Sequence, residues 1–406
     1  MPTLLINKKI VYRISLWILL IVGVVLLLRL APILSKPENM PSDDFVPYWT
    51  GGRLTLHGDN PYNPQKIEQL QIAAGGVASG TYPISIMLNP PWTISLFLPF
   101  SLLDYSPGRL SWLIASIFLI IISSHLLWSI YSGNPKKRWV YLLLVFSFAP
   151  VISMLEVGQI ACLILLGITG FIYFANKQRN DWLAGAFIAI ASIKPQIAFL
   201  FWVAALFWII QQRRWLILVS AAITVLLLTL ISMVFNPQII AQYFSMLQSY
   251  QISDWASPTI GAYLRFFLFG TDKFWLQFLP SIFGLLWLVY FWHNRKNSWE
   301  WRRELPAILL ASIITSPYSW TYDQVILIPA IIQIIVWIGK DWRRLSALLF
   351  VICYFILNAL DLILHKRLDD FWFIWLAPGL LILFLLIRWQ FPAQKVDARL
   401  SNQIVG

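Results

Sequence analysis

The chain has 406 residues, of which 59% are hydrophobic and only 12% are charged, about half the charged fraction of a typical soluble domain. With a mean hydropathy of +0.71, it has too few polar side chains to cover a water-facing surface, which excludes an ordinary soluble protein. The net charge of +12 comes from short basic clusters between apolar blocks rather than one basic face, which argues against nucleic-acid binding.

Apolar segments of about the length needed to cross a bilayer recur from end to end. They predict an all-α polytopic membrane protein of about twelve transmembrane helices, forming a single integral membrane domain over 1–406. The predicted spans lie near 11–34, 109–131, 139–155, 160–175, 182–193, 196–211, 215–235, 275–293, 305–316, 323–339, 343–363 and 371–390. Because the first is long and lacks a small-residue cleavage site, we expect an uncleaved signal anchor.

The basic clusters predict the orientation of these spans. If the first helix runs outward, all of the clusters fall on the cytoplasmic side, as the positive-inside rule requires. Both termini then lie in the cytoplasm, and the protein is placed in the cell membrane. The clusters are Lys8–Lys9, Lys136–Arg138, Lys177 with Arg179, Arg213–Arg214, Arg295–Lys296 with Arg302–Arg303, and Lys340 with Arg343–Arg344.

Two long connections are predicted to lie outside the cell. Residues 35–82 form the first extracytoplasmic loop and residues 236–273 the second, and the first is far too long for a simple connector. Within it, Tyr48–His57 and Gln65–Ala74 are candidates for short helices lying at the membrane interface, where amphipathic rings such as those of Tyr and Trp are favoured. Any chemistry is expected on this outer face.

Residues 83–104 do not fit a simple span. They contain an apolar stretch after Asn89, Pro90 and Pro91. A full crossing here would put the basic cluster at 136–138 outside, against the positive-inside rule. We therefore predict a re-entrant or interfacial segment, whose non-helical backbone must be shielded by protein or line a cavity.

Asp44 stands at the start of the first candidate interfacial helix, and two interpretations are open. In the first, it is only the N-cap, with Pro47 in the first helical turn. Alternatively it is a general base at the membrane surface, where partial desolvation raises the pKa of a carboxyl group toward useful values. The residues alone leave both open.

Other polar residues near the predicted outer face have similar pairs of interpretations. Lys194 is followed by Pro195 at the tip of two short spans, and it either binds an anion such as a lipid phosphate or extends to the interface. Arg265 is a basic residue on the predicted outer side of the membrane. It binds either a phosphate group or the headgroups of ordinary anionic lipids. Tyr62 ends the run 58–62, which is typical of a tight turn. Gln159 follows Gly158 at the outer end of a span.

Residues 316–323 form a polar and aromatic junction between two spans. An aromatic belt explains Tyr318, Trp320 and Tyr322 without any further function. It explains Asp323 less well. Aromatic rings on the outer face also offer platforms for sugar rings, whose C–H faces pack on aromatic side chains.

Several motifs are absent from the sequence. It contains no Walker loop, GxGxxG, HExxH or Asp-x-Asp pair, which disfavours an ATP-driven pump, a zinc protease and a nucleotide-sugar enzyme. Cys162 and Cys353 lie in apolar runs without metal-ligand spacing. We therefore expect no metal and no cofactor.

The order of these motifs resembles glycosyltransferase family 87 of the GT-C superfamily. The resemblance runs from about residue 40 to residue 330, and each motif is weak alone. It is carried by Asp44–Phe45 with Tyr48–Trp49, the run 58–62, Asn89–Pro91, Gly158–Gln159, Lys194–Pro195 and Ser316–Pro317 with Trp320.

The resemblance implies a GT-C-like helical bundle that moves mannose or a similar hexose from a polyprenyl-phosphate carrier to a lipid or glycan acceptor, with inversion, on the outer face. It implies that Asp44 is the catalytic base. Lys194 and Arg265 are then candidates for binding the donor phosphate. One departure is that Tyr322 stands where the family often has a His. Candidates for substrate binding are Asp43, Tyr48, Tyr62, Asn89, Gln159, Trp320, Tyr322 and Asp323.

Three alternatives to this enzyme stay open, one of which is a lipid scaffold without chemistry, to be considered if Asp44 proves dispensable. A secondary transporter of a small solute or lipid-linked glycan would show inverted repeats and ionisable residues near the bilayer midplane, and neither is evident. A polysaccharide polymerase or ligase would use similar chemistry on the same face. The sequence does not indicate the sugar, the acceptor, the linkage or the oligomeric state.

Overall fold

The computed structural model describes residues 44–75, 86–249, 255–270, 272–340 and 344–391, together with Trp17, Val24 and Leu28. Every regular element in these ranges is helical, which confirms the predicted all-α class. The predicted span 11–34, apart from those three positions, lies outside the described residues, as does Asp43.

The α-helices follow one another with short connections. In chain order they are α1 (Phe45–Leu56), α2 (Pro64–Gly75), α3 (Pro91–Ser101), α4 (Tyr105–Ile130), α5 (Arg138–Phe146), α6 (Ala149–Val157), α7 (Ala161–Ile172), α8 (Asp181–Ala191), α9 (Phe199–Gln211), α10 (Trp215–Phe235), α11 (Ile239–Ser249), α12 (Ile260–Phe269), α13 (Leu279–Arg295), α14 (Trp301–Thr315), α15 (Ile328–Lys340), α16 (Arg344–Leu364) and α17 (Leu376–Gln390). A π-helical turn is formed by Tyr173–Lys177. The 3-10 helices are Pro135–Lys137, Pro195–Ala198, Phe274–Phe278, Lys296–Ser298, Thr321–Leu327 and Asp370–Phe373.

The described helices confirm a polytopic membrane protein. Within the described ranges, six helical stretches are long and apolar enough to cross a bilayer, or up to eight if each of two bent pairs forms one span. The total of about twelve spans stays a prediction. The six stretches are Tyr105–Ile130, Trp215–Phe235, Phe274–Ser298, Thr321–Lys340, Ser346–Leu364 and Asp370–Gln390, and the pairs are Pro135–Phe146 with Ala149–Val157 and Asp181–Ala191 with Pro195–Gln211.

The predicted span 139–155 is not one straight helix. It is bent by 64° between Phe146 and Ala149, where Phe148 has an extended backbone. Pro150 stands in the first turn of the new helix, a position that Pro favours because its missing N–H is not needed there. The prolyl ring therefore marks the break, and α6 starts in a new direction.

The chain divides into two compact units. The first contains the described residues of Met1–Leu126, Leu142–Pro195 and Ile209–Trp255. In it α8 packs against α7 and α10, and α1 packs on α3, which also lies against α10. Gly52 allows the close approach of α1 to α3, because a Cβ there would lie 2.1 Å from Ser101 Oγ.

Helix α3 corresponds to the segment predicted to be re-entrant or interfacial. It has 11 residues and therefore rises about 16 Å, about half of the hydrocarbon thickness. This length fits the prediction for 83–104, which stays a prediction. Helices α1 and α2 lie at the two places where the sequence predicts short helices in the first outer loop.

The second unit contains the described residues of Leu127–Tyr141, Gln196–Trp208 and Ala256–Gly406. The helical stretch Thr321–Lys340, which contains α15, forms its core, and 83% of the apolar part of this stretch is buried. Helix α14 packs against α13, α15 and α17, and α16 packs against α17. The side of α13 that is not covered by other helices is apolar, as expected for a helix that faces lipid. On it Tyr290 is 70% and Phe283 62% exposed. The predicted single domain stays a prediction.

Candidate active site

Asp44 is held by a residue far away in the sequence. It occupies the N-cap position of α1 but makes no side-chain cap hydrogen bond. Instead its Oδ2 accepts a hydrogen bond of 2.9 Å from Gln159 Nε2. The capping interpretation is therefore wrong for this side chain. Its half-buried carboxylate is positioned by a tertiary contact and not by its own helix.

Gln159 links Asp44 to Tyr48. The Tyr48 hydroxyl donates to Gln159 Oε1 at 3.0 Å, and the backbone N–H of Ile160 donates to the same oxygen at 3.2 Å. Gln159 and Tyr48 are only 6% and 4% exposed. Because the amide oxygen already has two donors, the amide nitrogen is the atom that faces Asp44.

The turn that carries Gln159 depends on Gly158. This residue ends α6 in the left-handed region, with φ 72° and ψ 25°, which favours glycine. Trp112 Nε1 donates to the Gly158 carbonyl at 2.8 Å. The Arg109 guanidinium donates to the carbonyls of Leu155 at 2.9 Å and Glu156 at 2.8 Å. Three backbone acceptors at this helix end are thereby satisfied.

Arg109 and Trp112 were not among the predicted site residues. Both lie on α4, and both are 2% exposed. The sequence does carry a signal for Arg109, since an ionisable residue in an apolar stretch of span length is expected to have a partner or a function. For Trp112 we see no such signal.

Aromatic rings hold α1 in place next to this turn. Tyr48 stacks on Phe97 with ring centroids 4.8 Å apart, and Phe97 lies 4.8 Å from Trp112. The Arg109 guanidinium lies 5.9 Å from the ring of Phe45, the residue after Asp44. The rings of Tyr48 and Phe97 are therefore part of the packed core.

A second set of hydrogen bonds fixes the backbone just before Lys194. Asn89 Nδ2 donates to the Ile193 carbonyl at 2.8 Å, and Trp92 Nε1 donates to Ser192 Oγ at 3.0 Å. Lys194 follows these residues and is half-buried. Asn89 thus positions the chain that presents Lys194, and Ser192 is a contributor that sequence reasoning missed.

Tyr62 is buried in the turn predicted for 58–62. Asn60 Oδ1 accepts a hydrogen bond of 2.9 Å from the Tyr62 N–H, which is the expected turn chemistry. The ring packs against Tyr243, with centroids 5.7 Å apart. Burial, and to a lesser extent Tyr243, raises the pKa of Tyr62. Tyr62 is 4% exposed and stays neutral.

In the second unit Arg265 is fully buried. Its Nη1 donates to Gln277 Oε1 at 2.7 Å, and Gln277 Nε2 donates to the Pro317 carbonyl at 2.8 Å. The guanidinium also lies 4.5 Å from the ring of Phe266 and 5.3 Å from that of Phe274. Arg265 therefore contacts a neutral amide and two aromatic faces.

Asp323 acts as a helix cap. It is fully buried, and its Oδ2 accepts from the Trp320 backbone N–H at 3.0 Å, at the start of the 3-10 helix Thr321–Leu327. The rings of Trp320 and Tyr322 stack with centroids 6.4 Å apart, and both are half-buried. Burial raises the pKa of the neighbouring Tyr318 to about 12, against the lowering effect of the Arg265 charge.

One comparison with known proteins decides the family. The model of glycosyltransferase family 87 matches residues 88–317, which is more than half of the 406 residues. The chain belongs to glycosyltransferase family 87. It is therefore a multi-pass membrane glycosyltransferase, and the sequence-based resemblance to this family is confirmed. No curated protein and no solved structure matches the chain.

The range matched by the family model does not include every candidate site residue of this family 87 enzyme. The matched range includes Asn89, Gln159, Lys194 and Arg265 but begins after Asp44. Asp44 is connected to the matched range by its hydrogen bond to Gln159, which lies inside that range. Among the described residues no group of three His, Cys, Asp or Glu side chains is placed to hold a metal ion.

The predicted site residues fall into separate clusters. In the first unit, Asp44, Tyr48 and Gln159 form one hydrogen-bonded chain. In the second unit, Asp323 accepts a hydrogen bond from the Trp320 backbone N–H, and the rings of Trp320 and Tyr322 stack. The remaining predicted residues with described positions are Tyr62, Asn89 and Lys194 in the first unit and Arg265 in the second.

Proposed function

We propose that this family 87 glycosyltransferase transfers mannose or a similar hexose from a polyprenyl-phosphate-linked donor to a lipid or glycan acceptor. The reaction inverts the anomeric configuration and takes place on the extracytoplasmic face of the cell membrane, with both termini in the cytoplasm. Asp44 is the general base. The observation that carries the proposal is that its carboxylate is held by Gln159 and makes no helix-cap hydrogen bond.

The proposed reaction is a single displacement at the anomeric carbon. Asp44 takes the proton of the acceptor hydroxyl, whose oxygen forms the new glycosidic bond while the bond to the carrier phosphate oxygen breaks. One displacement requires one base and inverts the centre. Polyprenyl phosphate leaves as an anion and needs positive charge rather than a strong acid. One positioned carboxylate therefore suffices for the protein's proton transfer.

Lys194 is the first candidate for stabilising the leaving phosphate. The hydrogen bonds from Asn89 and Trp92 fix the two residues that precede it. The backbone from which the Lys194 side chain extends therefore has a defined position. Arg265 is the second candidate. It is a buried guanidinium that donates to the Gln277 amide, and guanidinium groups bind phosphate oxygens through their planar set of N–H donors.

The aromatic residues are proposed to have two different roles. Trp320 and Tyr322 are half-buried and stacked, so their rings are suitable platforms for a sugar. Tyr48 is buried against Phe97 and uses its hydroxyl on Gln159. We therefore assign Tyr48 and Gln159 to positioning Asp44 and not to holding the sugar.

The test uses the purified full-length protein in lipid nanodiscs with polyprenyl-phosphate mannose and a lipid extract of the host membrane. Asp44→Asn is compared with Asp104→Asn, whose carboxylate is 90% exposed and lies 3.7 Å from Arg53. Loss of a general base lowers the rate by about 100-fold or more, so Asp44→Asn is expected to lose activity while Asp104→Asn keeps it. The readouts are consumption of donor and appearance of a glycosylated product.

Two results would count against the proposal. Equal activity of Asp44→Asn and the native protein would remove Asp44 as the base while leaving the family assignment intact. If the native protein consumes no polyprenyl-phosphate-linked mannose, glucose or arabinose, the proposed dependence on polyprenyl-phosphate donors is wrong. Uptake of a lipid-linked glycan into sealed vesicles would then be measured in its place.

A further inference from the structure

A second polar network in the second unit lies at the end of α16. His365 follows the last residue of that helix, and its Nε2 lies 3.0 Å from Asp370 Oδ1. Its Nδ1 lies 3.7 Å from Asp361 Oδ2. Asp361 is fully buried, and the imidazole packs on Phe373 with ring centroids 3.9 Å apart. The ring is therefore fixed between two carboxylates and an aromatic face.

These contacts also set the charge of the imidazole. Burial lowers the pKa of His365, but the hydrogen bond to Asp370 and the charges of Asp361 and Asp370 raise it by more, so the net shift is upward. Lys366, Arg367 and Asp369 are adjacent but exposed, where solvent screens their charges. The protonated ring is thus favoured by its two carboxylate neighbours.

Asp370 connects this network to the aromatic pair. While Oδ1 faces His365, Oδ2 accepts a hydrogen bond of 3.1 Å from the Thr321 backbone N–H. Thr321 lies between Trp320 and Tyr322. The Trp320 N–H is held by Asp323, so two successive N–H groups at the start of this 3-10 helix are held by two different carboxylates. Such N–H groups have no partner within their own helix.

The segment carrying Asp370 is itself anchored. The Tyr263 hydroxyl donates to the Phe371 carbonyl at 2.8 Å, and the two rings stack with centroids 4.4 Å apart. Asp370 therefore has a fixed position. Replacing its carboxylate should shift Thr321 and, with it, the rings of Trp320 and Tyr322 on either side.

We propose that Asp370 and His365 are positioning residues that place the Trp320–Tyr322 pair for substrate. The assignment rests on the proposed function for the use of these rings as a sugar platform. Asp370 acts through Thr321, and His365 orients Asp370. Neither is proposed to touch the reacting atoms, so neither is assigned as a catalytic residue.

The first part of the test is structural and independent of activity. The protein is labelled with 3-fluorotyrosine, and the Tyr322 ¹⁹F resonance is assigned with Tyr322→Phe. Asp370→Asn should move this resonance, while the exposed neighbour variant Asp369→Asn should leave it in place. An unchanged Tyr322 resonance in Asp370→Asn would overturn the inference, whatever the activity.

The second part is kinetic. Asp370→Asn should raise the KM for one substrate about tenfold, with kcat changed by less than about threefold, because the rings bind substrate without taking part in bond breaking. His365→Gln should have a smaller effect of the same kind, and Asp370→Glu should restore part of the affinity. An unchanged KM together with a moved resonance would mean that the network is only structural and would also overturn the proposal.

The two hypotheses fail in distinguishable ways. An inactive native protein would remove the proposed function, and the fluorine resonance would still decide whether Asp370 places Tyr322. Histidine labelling gives a further readout, since the chain has only 4 His residues and His365→Gln identifies the signal. The pKa of His365 should fall in Asp370→Asn and stay unchanged in Asp369→Asn.

Discussion

Replacing Gln159 by Leu removes the hydrogen bond to Asp44 while keeping a side chain of similar size. A hydrogen bond to a charged group contributes about 1.5–3 kcal/mol, and about 1.4 kcal/mol corresponds to a tenfold change in rate. If the bond of 2.9 Å serves to hold the base in place, kcat should fall about 10- to 150-fold. Tyr48→Phe removes a neutral bond of 3.0 Å and should cost about 2- to 12-fold.

A double-mutant cycle separates this explanation from a general loss of structure. Because Gln159 is proposed to act only through Asp44, Gln159→Leu should cost nothing further in the Asp44→Asn background. The measurement is initial-rate donor consumption in nanodiscs for both single variants, the double variant and the native protein. If the two losses multiply, Gln159 does not act through Asp44, and the reasoning is refuted.

The same substitution has a stability cost that needs its own control. Gln159→Leu leaves the buried Tyr48 hydroxyl without its acceptor, which costs about 1–3 kcal/mol. Tyr48→Phe with Gln159→Leu removes both polar partners and should recover much of that loss. Thermal unfolding of the three variants checks this. A double variant less stable than Gln159→Leu alone would contradict the assigned hydrogen bond.

Four further predictions concern single residues. Gly158→Ala should lower stability by about 1–3 kcal/mol, seen as a lower melting temperature, because Gly158 has a positive φ. Glu304→Gln should destabilise by about 3–5 kcal/mol in the same assay, since the buried carboxylate faces three arginines. Asn89→Ala should lower activity by weakening the support of Ile193, and the melting temperature of the variant shows whether any loss of activity comes from unfolding. His365 has a raised pKa, so the stability it adds is present below its unfolded pKa and is lost as pH rises through the folded value. The melting temperature should therefore fall more between pH 6 and pH 8 (about the range in which His titrates) for the native protein than for His365→Gln.

Local pattern was enough to predict the two short helices between residues 44 and 75. The sequence predicts helices at 48–57 and 65–74, and the structure has them at Phe45–Leu56 and Pro64–Gly75. The break within 139–155 was missed, although Pro150 is a visible signal for the start of a helix. An apolar run is recognised by its composition, which does not reveal a bend.

The site was less predictable, for a physical reason. The N-cap position of Asp44 is a local property, and the sequence shows it directly. The bond to Gln159 joins residues 115 positions apart, and no local pattern distinguishes a capping carboxylate from one held by a remote amide. For the same reason the sequence did not indicate that Asp323, a candidate for substrate binding, also caps its own 3-10 helix. Periodicity specifies which face is apolar but not which remote partner a polar side chain meets.

Helix α4 has a consequence for how the lipid bilayer affects this enzyme. One side of it exposes Phe118 (59%) and Ile114 (49%), while Arg109 and Trp112 fix the turn at Gly158. Its 26 residues rise about 39 Å, more than a hydrocarbon core of about 30 Å, and such a helix adapts to membrane thickness by tilting. We therefore expect a change in acyl-chain length to shift the turn at Gly158 that supports the proposed base Asp44, so that the rate of sugar transfer depends on the thickness of the membrane.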